Sequence, residues 1–272
     1  MQMHNRKGDN NMVDLKKTEE QLTDEVMGKI NLSKDKEVLR DNVVNLSKTV
    51  INLSKKAGVD IGSTKAQVVF VMDNSGSMDD LYHFGAVQDV VNKILPLGLT
   101  FDDNGEVEVF TFNSEFKQRT SLNINNYENY VREYLSCGGG TRYSGVLKEI
   151  KRIYIDGDRK GIFKLFGKGK KEVLSDTVPV FVVFITDGDN DPYDEGRTKE
   201  IIKELASTNT FIQFIGIGTA DFNFLKELDN FKDRECDNTG FTKFDDISKV
   251  DSYTLYNAVL EQYADWLKVK GF

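Results

Sequence analysis

Three short stretches of this chain concentrate hard oxygen ligands. Asp73-Asn74-Ser75-Gly76-Ser77-Met78 sets a carboxylate and two hydroxyls at positions i, i+2 and i+4. Thr186-Asp187-Gly188-Asp189 supplies a second carboxylate. Cys137-Gly138-Gly139-Gly140-Thr141-Arg142-Tyr143 places a third hydroxyl behind a run of glycines. Side chains at alternate positions of a tight loop can converge on one point. Carboxylate and hydroxyl oxygens suit a hard cation, Mg²⁺ first, with Ca²⁺ or Mn²⁺ open. The candidate metal ligands are Asp73, Ser75, Ser77, Thr141 and Asp187, around one divalent cation. Gly76 lets the first loop curl, and Gly138 to Gly140 permit close backbone approach and unusual φ values.

Each piece has a plainer reading. Asp73 with Ser75, taken alone, reads as an Asx-turn or a helix N-cap. Asp79 and Asp80 read as first-turn helix acids, favourable with the dipole. Arg142 and Tyr143 read as a surface charge and a packed ring that flank Thr141. The metal reading gains from where the stretches fall, each at the edge of a regular element.

Those elements follow from hydrophobic pattern. Residues 67–72 and 178–185 are continuous β-branched and aromatic runs, and 211–217 is a third, so all three read as buried strands. Residues 106–112 alternate Val107, Val109 and Thr111 against Glu106, Glu108 and Phe110, which predicts a strand with one wetter face. A short strand at 116–121 can pair antiparallel at an edge after the turn at 113–115, and 241–244 reads as a last strand. Helical spacing covers 87–95, 127–135, 144–154, 195–206, 222–228 and 252–267. This alternation predicts an α/β fold, Rossmann-like and doubly wound, with a mostly parallel sheet flanked by helices. In such sheets ligands sit at the carboxyl ends of strands near a topological switch, and the oxygen-rich stretches 73–78 and 186–189 both begin there.

Ahead of this domain (66–270) lies an N-terminal helical extension (29–65), preceded by a polar, partly disordered segment at 1–28. Asn-Leu-Ser-Lys recurs at 31–34, 45–48 and 52–55. Leu39, Val43, Leu46, Val50, Leu53 and Ala57 form one narrow helical stripe, predicting a helix over 36–57 with Asp35 as N-cap and Gly58 as stop. The stripe is expected to pack on the domain's own sheet rather than form a coiled coil. A basic insertion at 156–176, Gly- and Lys-rich around Ile162, Phe163, Leu165 and Phe166, reads as a surface loop in preference to a partner or membrane contact.

Composition narrows the function classes. The net charge is −8, which offers no basic footprint for nucleic acid. No apolar run approaches the roughly 20 residues that span a bilayer. The polar first residues resemble no secretory signal. Cys137 and Cys236 form no CxxC pair and read as buried, reduced thiols of a cytoplasmic protein.

Phe70-Val71-Met72-Asp73-Asn74-Ser75-Gly76-Ser77-Met78 resembles the metal-ion-dependent adhesion site (MIDAS) of von Willebrand factor A (VWA) domains, Asp-x-Ser-x-Ser after a hydrophobic strand. Gly140-Thr141 resembles that family's separate threonine, and Phe184-Ile185-Thr186-Asp187-Gly188 its Thr-Asp-Gly strand end. Leu95-Pro96-Leu97-Gly98-Leu99-Thr100-Phe101-Asp102-Asp103-Asn104-Gly105, Gly140-Thr141-Arg142-Tyr143 and Phe211-Ile212-Gln213-Phe214-Ile215-Gly216-Ile217-Gly218 are most similar to the bacterial tellurium-resistance (Ter) type. The insertion at 156–176 departs from that family's compact pattern. The resemblance implies that Ser75, Ser77 and Thr141 bind metal directly, while Asp73 and Asp187 bind directly or through water. It implies an open metal position for an acidic side chain of a protein partner, no catalysis, and a role in tellurite or stress resistance.

Enzymatic readings lack their residues. The position two after Asp73 is Ser75, so the second carboxylate of an Asp-x-Asp phosphotransferase is missing. Neither serine sits in Gly-x-Ser-x-Gly, and no P-loop occurs. Asp187-Gly188-Asp189-Asn190-Asp191 begins like an EF-hand loop, yet Pro192 stands where glycine is required and Thr198 where glutamate is. Asp189 and Asp191 are expected on the rim of the site, enriching cations. His4 falls in the tail, and His83, at the start of a helix, reads as structural. Metal-dependent phosphoryl transfer, and a stress scaffold acting through the N-terminal helix, are the alternatives.

Overall fold

A computed structural model describes residues 13–30, 36–102, 104–134, 136–157 and 178–272. Its strands are β1 (Gln67–Asp73), β2 (Glu108–Phe112), β3 (Phe116–Gln118), β4 (Val180–Thr186), β5 (Thr210–Ile217) and β6 (Thr239–Phe244). They form one sheet in the order β3-β2-β1-β4-β5-β6, parallel throughout except for the antiparallel β2–β3 edge. The chain starts in the middle at β1, winds out to β3, then returns to lay β4 on the other side of β1. The switch therefore falls between β1 and β4, where Val71 pairs with Phe184 and Met72 with Ile185. Loops leaving these two strands part in opposite directions, which opens a crevice at their carboxyl ends.

The helices are α1 (Glu19–Gly28), α2 (Glu37–Ala57), α3 (Asp79–His83), α4 (Ala86–Phe101), α5 (Tyr130–Tyr134), α6 (Ser144–Ile150), α7 (Glu195–Ala206), α8 (Asn223–Asp229) and α9 (Ser252–Lys270). The period-two alternation of β1 feeds two cores. Val68, Phe70 and Met72 pack with residues of α4, α5 and α9, whereas Val69 and Val71 pack with residues of α6, α7 and α8. All five are fully buried, each contributing about 1.5–3 kcal/mol of transfer free energy. A strand so anchored on both faces holds its terminal Asp73 in a fixed place.

Several elements depart from the sequence pattern, each for a physical reason. The wetter face expected for the 106–112 strand is not found: Phe110 is fully buried. Phe110 packs with Val146, Leu147 and Ile150 of α6 on one face and Val109 joins the opposite core, so both faces of β2 are covered, and only Glu108 at its start is half-buried. The helix expected to stop at Leu95 runs on to Phe101 with Pro96 inside it. Proline removes the N–H that would bond the carbonyl four residues back. That carbonyl belongs to Asn92, and Asn42 Nδ2 of α2 donates to it at 3.2 Å. Burial of Leu95, Leu97 and Leu99 holds the last turns against the proline. A Cβ at Gly98 would come within 2.3 Å of Val107 Cγ2, so the helix crosses the lead-in to β2 at glycine distance. The expected 127–135 helix is a single 3₁₀ turn followed by α5, and the 144–154 helix ends in a π-helical turn over Lys151–Ile155.

In the N-terminal part, α1 stands in a segment read as polar and partly disordered. Thr18 and Gln21 form a reciprocal capping box, and Leu22 and Val26 are buried one turn apart. Helix α2 ends at Gly58, whose φ is +76°, as the pattern requires; Asp35 lies outside the described residues. Its stripe packs on other helices rather than on the sheet. Helices α4 and α9 already cover that sheet face, so α2 and α1 add a further layer to the same core. Asn45 Nδ2 donates to Ser252 Oγ at 2.9 Å where α2 meets the start of α9. Residues 158–177, most of the expected insertion, lie outside the described residues, as do the first Asn-Leu-Ser-Lys copy and His4. No helix among the described residues is long and apolar enough to cross a membrane.

Candidate metal centre

Asp73 is the last residue of β1 and is completely buried. Its Oδ1 accepts from the Ser75 backbone N–H at 2.7 Å, an Asx-type bond that turns the loop back over the strand end. Its Oδ2 accepts from Thr186 Oγ1 at 2.6 Å, across the β1–β4 switch. Tyr82, from α3, donates its hydroxyl to the Asp73 carbonyl at 2.8 Å. The loop then presents Ser75 Oγ and Ser77 Oγ 3.2 Å apart, and Ser77 Oγ donates to Asp187 Oδ1 at 2.9 Å. A continuous chain of oxygens thus joins Ser75, Ser77 and Asp187, with Asp73 beneath it.

The glycine loop closes the third side. Gly76 N–H donates to the Gly139 carbonyl at 3.1 Å, and Gly138 N–H donates to the Asn74 carbonyl at 2.9 Å. Gly139 has φ +84°, and a Cβ there would press within 3.3 Å of the Asn113 side chain. Gly76 itself adopts no left-handed φ, so the curl expected of it comes from these cross-loop bonds. Thr141 follows on this loop, half-buried; its carbonyl accepts from Asp191 N–H at 2.9 Å. Its hydroxyl has no hydrogen-bond partner among the described residues.

The electrostatics point one way. Burial pushes the Asp73 carboxyl up to about 6; the Asp187 charge adds to this, and bonds from Thr186 and Ser75 oppose it. Burial also raises Asp187, against the Ser77 bond. Neither carboxylate is paired with a lysine or arginine among the described residues. A buried anion without a counter-charge is costly, and a divalent cation is the group this donor set fits: two carboxylates, three hydroxyls, all hard oxygen. No cluster of three or more His, Cys, Asp or Glu side chains that could hold a metal occurs among the described residues. The hydroxyls would therefore have to supply most of the shell.

Neighbouring residues carry supporting roles that their spacing alone does not reveal. Tyr143 is fully buried, donating to the Gly188 carbonyl at 2.5 Å and standing 3.4 Å from Thr186 Oγ1. Arg142 pairs with Asp191 at 3.1 Å. Asp189, expected on the rim, instead accepts from the Asn223 and Phe224 N–H groups at the start of α8, at 2.9 and 3.1 Å. Asp191 is likewise committed, to Tyr193 N–H at 3.0 Å and to Arg142. Asp79 and Asp80 lie in the first turn of α3, as read, and His83 ends that helix rather than beginning one. His83 lines a groove of about 490 Å³ with Tyr82, Gln88, Arg132 and Cys137. Cys137 and Cys236 are free and half-buried, less enclosed than expected, and burial with nearby aspartates pushes the Cys137 thiol up to about 11.

A doubly wound sheet with Asp-x-Ser-x-Ser at the end of its central strand and Thr-Asp-Gly at the end of the neighbouring one is the arrangement of the VWA class. The model of the family described as the vWA found in the TerF C terminus matches residues 65–271. The uncharacterized protein YcbR of Bacillus subtilis (strain 168) is 32% identical over 209 residues, covering 75% of this chain and 78% of its own. Among solved structures, the proximal thread matrix protein 1 of the mussel byssus superposes with a TM-score of 0.49 at 18% identity, over 74% of this chain and 48% of that one. The SpRpn10 VWA domain gives 0.45 at 15% identity, over 71% of this chain and 93% of its own. The match thus spans about half the length of the mussel protein. The chain belongs to the vWA-TerF-like family of VWA domain proteins.

Proposed function

We propose that this chain is a metal-dependent protein-binding module in which Asp73, Ser75, Ser77, Thr141 and Asp187 hold one divalent cation, Mg²⁺ by preference. The observation that carries the reading is the pair Asp73 and Asp187, raised by burial, free of any cationic partner among the described residues, and linked through serine hydroxyls. When bound, the cation supplies a positive charge with an open position. The chain's own residues fix that position by holding the three loops together. An acidic side chain of a partner protein would complete the shell. Phe84 is 79% exposed at the end of α3, and Tyr193 is 95% exposed on the loop after β4, so the segments that follow two of the metal loops carry large exposed rings that would suit a protein surface.

A binding role is favoured over turnover. His83 lines the groove formed with Tyr82 and Cys137 and makes no hydrogen bond to the five candidate ligand residues. The hydroxyls of Ser75 and Ser77 bond to one another and to Asp187, and neither has a histidine or lysine partner among the described residues. The free cysteines suit a cytoplasmic setting, and family membership suits a tellurite- or stress-resistance system. The test is capture of partners from a cell extract with and without chelator, repeated with Asp73→Ala. Metal-dependent capture that disappears in the variant is the expected result. Equal capture in all arms, or metal-dependent phosphatase or ATPase turnover, would overturn the reading.

A further inference from the structure

Beside the metal loops lies a second, smaller feature of opposite charge. A notch of about 140 Å³ opens between the β2–β3 edge and the glycine loop, lined by Asn74, Thr111, Asn113, Lys117, Arg119 and Gly138 among others. One wall is the residue between Asp73 and Ser75; another is the glycine bonded to it. The notch is therefore continuous with the candidate metal centre.

Its polar groups divide into two kinds. The amides are spent on the walls: Asn74 Nδ2 donates to the Ser136 carbonyl at 2.7 Å, and Asn113 Nδ2 donates to the Gly138 carbonyl at 2.6 Å. The cations are not spent. Arg119 is half-buried and anchored by its Nε, which donates to the buried Thr111 Oγ1 at 2.8 Å. Among the described residues this is its one side-chain hydrogen bond, so both terminal amino groups of the guanidinium keep their donors. Lys117 stands two residues away on the same edge, with no carboxylate partner among the described residues. Glu115 is the single carboxylate in the lining.

A chain of net charge −8 has ample carboxylates with which to neutralise an arginine. Here one is pinned by its Nε, lines a notch of about 140 Å³, and keeps its planar pair of terminal donors without a hydrogen-bond partner among the described residues. That is the geometry that receives a carboxylate. We infer that Arg119, assisted by Lys117, binds a second carboxylate of the partner, so that the module reads a pair of neighbouring acidic side chains, one at the metal and one in the notch. The inference rests on the metal-bridge reading above.

The experiment uses the full chain saturated with Mg²⁺ and labelled glycine-flanked peptides, followed by fluorescence anisotropy. One peptide carries a single aspartate; the others carry two, separated by varying numbers of glycines. At least one two-aspartate peptide should bind about tenfold more tightly than the single-aspartate peptide, the order given by one charge-assisted contact. Arg119→Gln should remove that advantage while leaving the single-aspartate affinity in place, and Arg119→Lys should restore part of it. Lys117→Gln, at an exposed position that the fold does not need, should reduce it by a smaller factor. An advantage that survives Arg119→Gln and Lys117→Gln, or no advantage at any spacing, would overturn the inference while the metal reading stands. Loss of Mg²⁺-dependent binding for every peptide would overturn both.

Discussion

Four aspartates follow β4 within eight residues, and the fold divides them into two groups with opposite environments. Asp187 joins Asp73 in the crevice, where burial raises both carboxyls and hydroxyls are their main company. Asp189, Asp191 and Asp194 lie on the same loop but are filled by donors. Asp189 takes two backbone N–H groups of α8, Asp191 takes Tyr193 N–H and Arg142, and Asp194 takes both the N–H and the hydroxyl of Ser144. Burial alone would raise Asp194, yet the bonds from Ser144, Asn190 and Thr198 hold its carboxyl below the ordinary value. An acid surrounded by donors is part of the scaffold. An acid buried among oxygens is waiting for a cation. Sequence spacing cannot separate the two, and neither does the number of donors alone, since Asp73 and Asp189 each accept two hydrogen bonds; the complete burial of Asp73 makes the difference.

This contrast can be broken most directly by metal titration. Asp73→Ala should reduce Mg²⁺ or Mn²⁺ affinity by about 100-fold or more in calorimetry, at or beyond the upper end of the roughly 10–100-fold cost of losing a group that only orients the ligands, while Asp194→Ala leaves it in place. The stability effects should run the other way. Asp194→Ala strands the Ser144 and Asn190 donors and should cost about 2–3 kcal/mol in urea denaturation. Metal-free Asp73→Asn, which removes a buried unpaired charge, should be neutral or stabilising by about 1 kcal/mol. Equal losses in both variants would mean that Asp73 is scaffold as well.

Adding Mg²⁺ to the metal-free chain should stabilise it by about 2.7 kcal/mol at a concentration 100 times the Kd, seen as a rise in Tm that chelator reverses and Asp73→Ala abolishes. Acid should act on the other group. The Asp194 carboxyl is depressed in the fold, so its contribution is fully present above its ordinary value of 3.8 and fades as pH falls through the lower folded value. The stability gap between wild type and Asp194→Asn should therefore narrow below about pH 4 and stay constant above it. The smallest effects belong to the loop's surface. Asp189→Ala should cost about 1 kcal/mol as a lost helix cap, and Arg142→Ala less than about 1 kcal/mol, because its ion pair is half-exposed and screened.

Much of this molecule was legible in one dimension. The runs at 67–72, 178–185 and 211–217 are strands because a continuous β-branched and aromatic run can be buried on both faces only inside a parallel sheet. The Asn113–Glu115 turn, the edge pairing of β3 and the stop at Gly58 followed from local chemistry, which acts over a few residues. The three oxygen-rich loops were visible for the same reason: their ligand types lie at fixed short spacings. Helix α1 was missed, although Thr18 and Gln21 carry a capping-box signal, because two buried apolar residues in a polar segment made a weak stripe.

What only the tertiary structure decided involves partners far apart in the chain. Pro96 does not end α4, because burial of the following leucines and an amide from α2 offset the lost backbone bond. Phe110 is buried because α6 packs on the face that its own sequence suggested was wet. The stripe of α2 meets helices rather than the sheet because α4 and α9 reach that face first. The sorting of the aspartates is of this kind as well. Whether a carboxylate is satisfied depends on donors that arrive from α8, from the glycine loop or from Ser144, dozens of residues away, and no local pattern records their arrival.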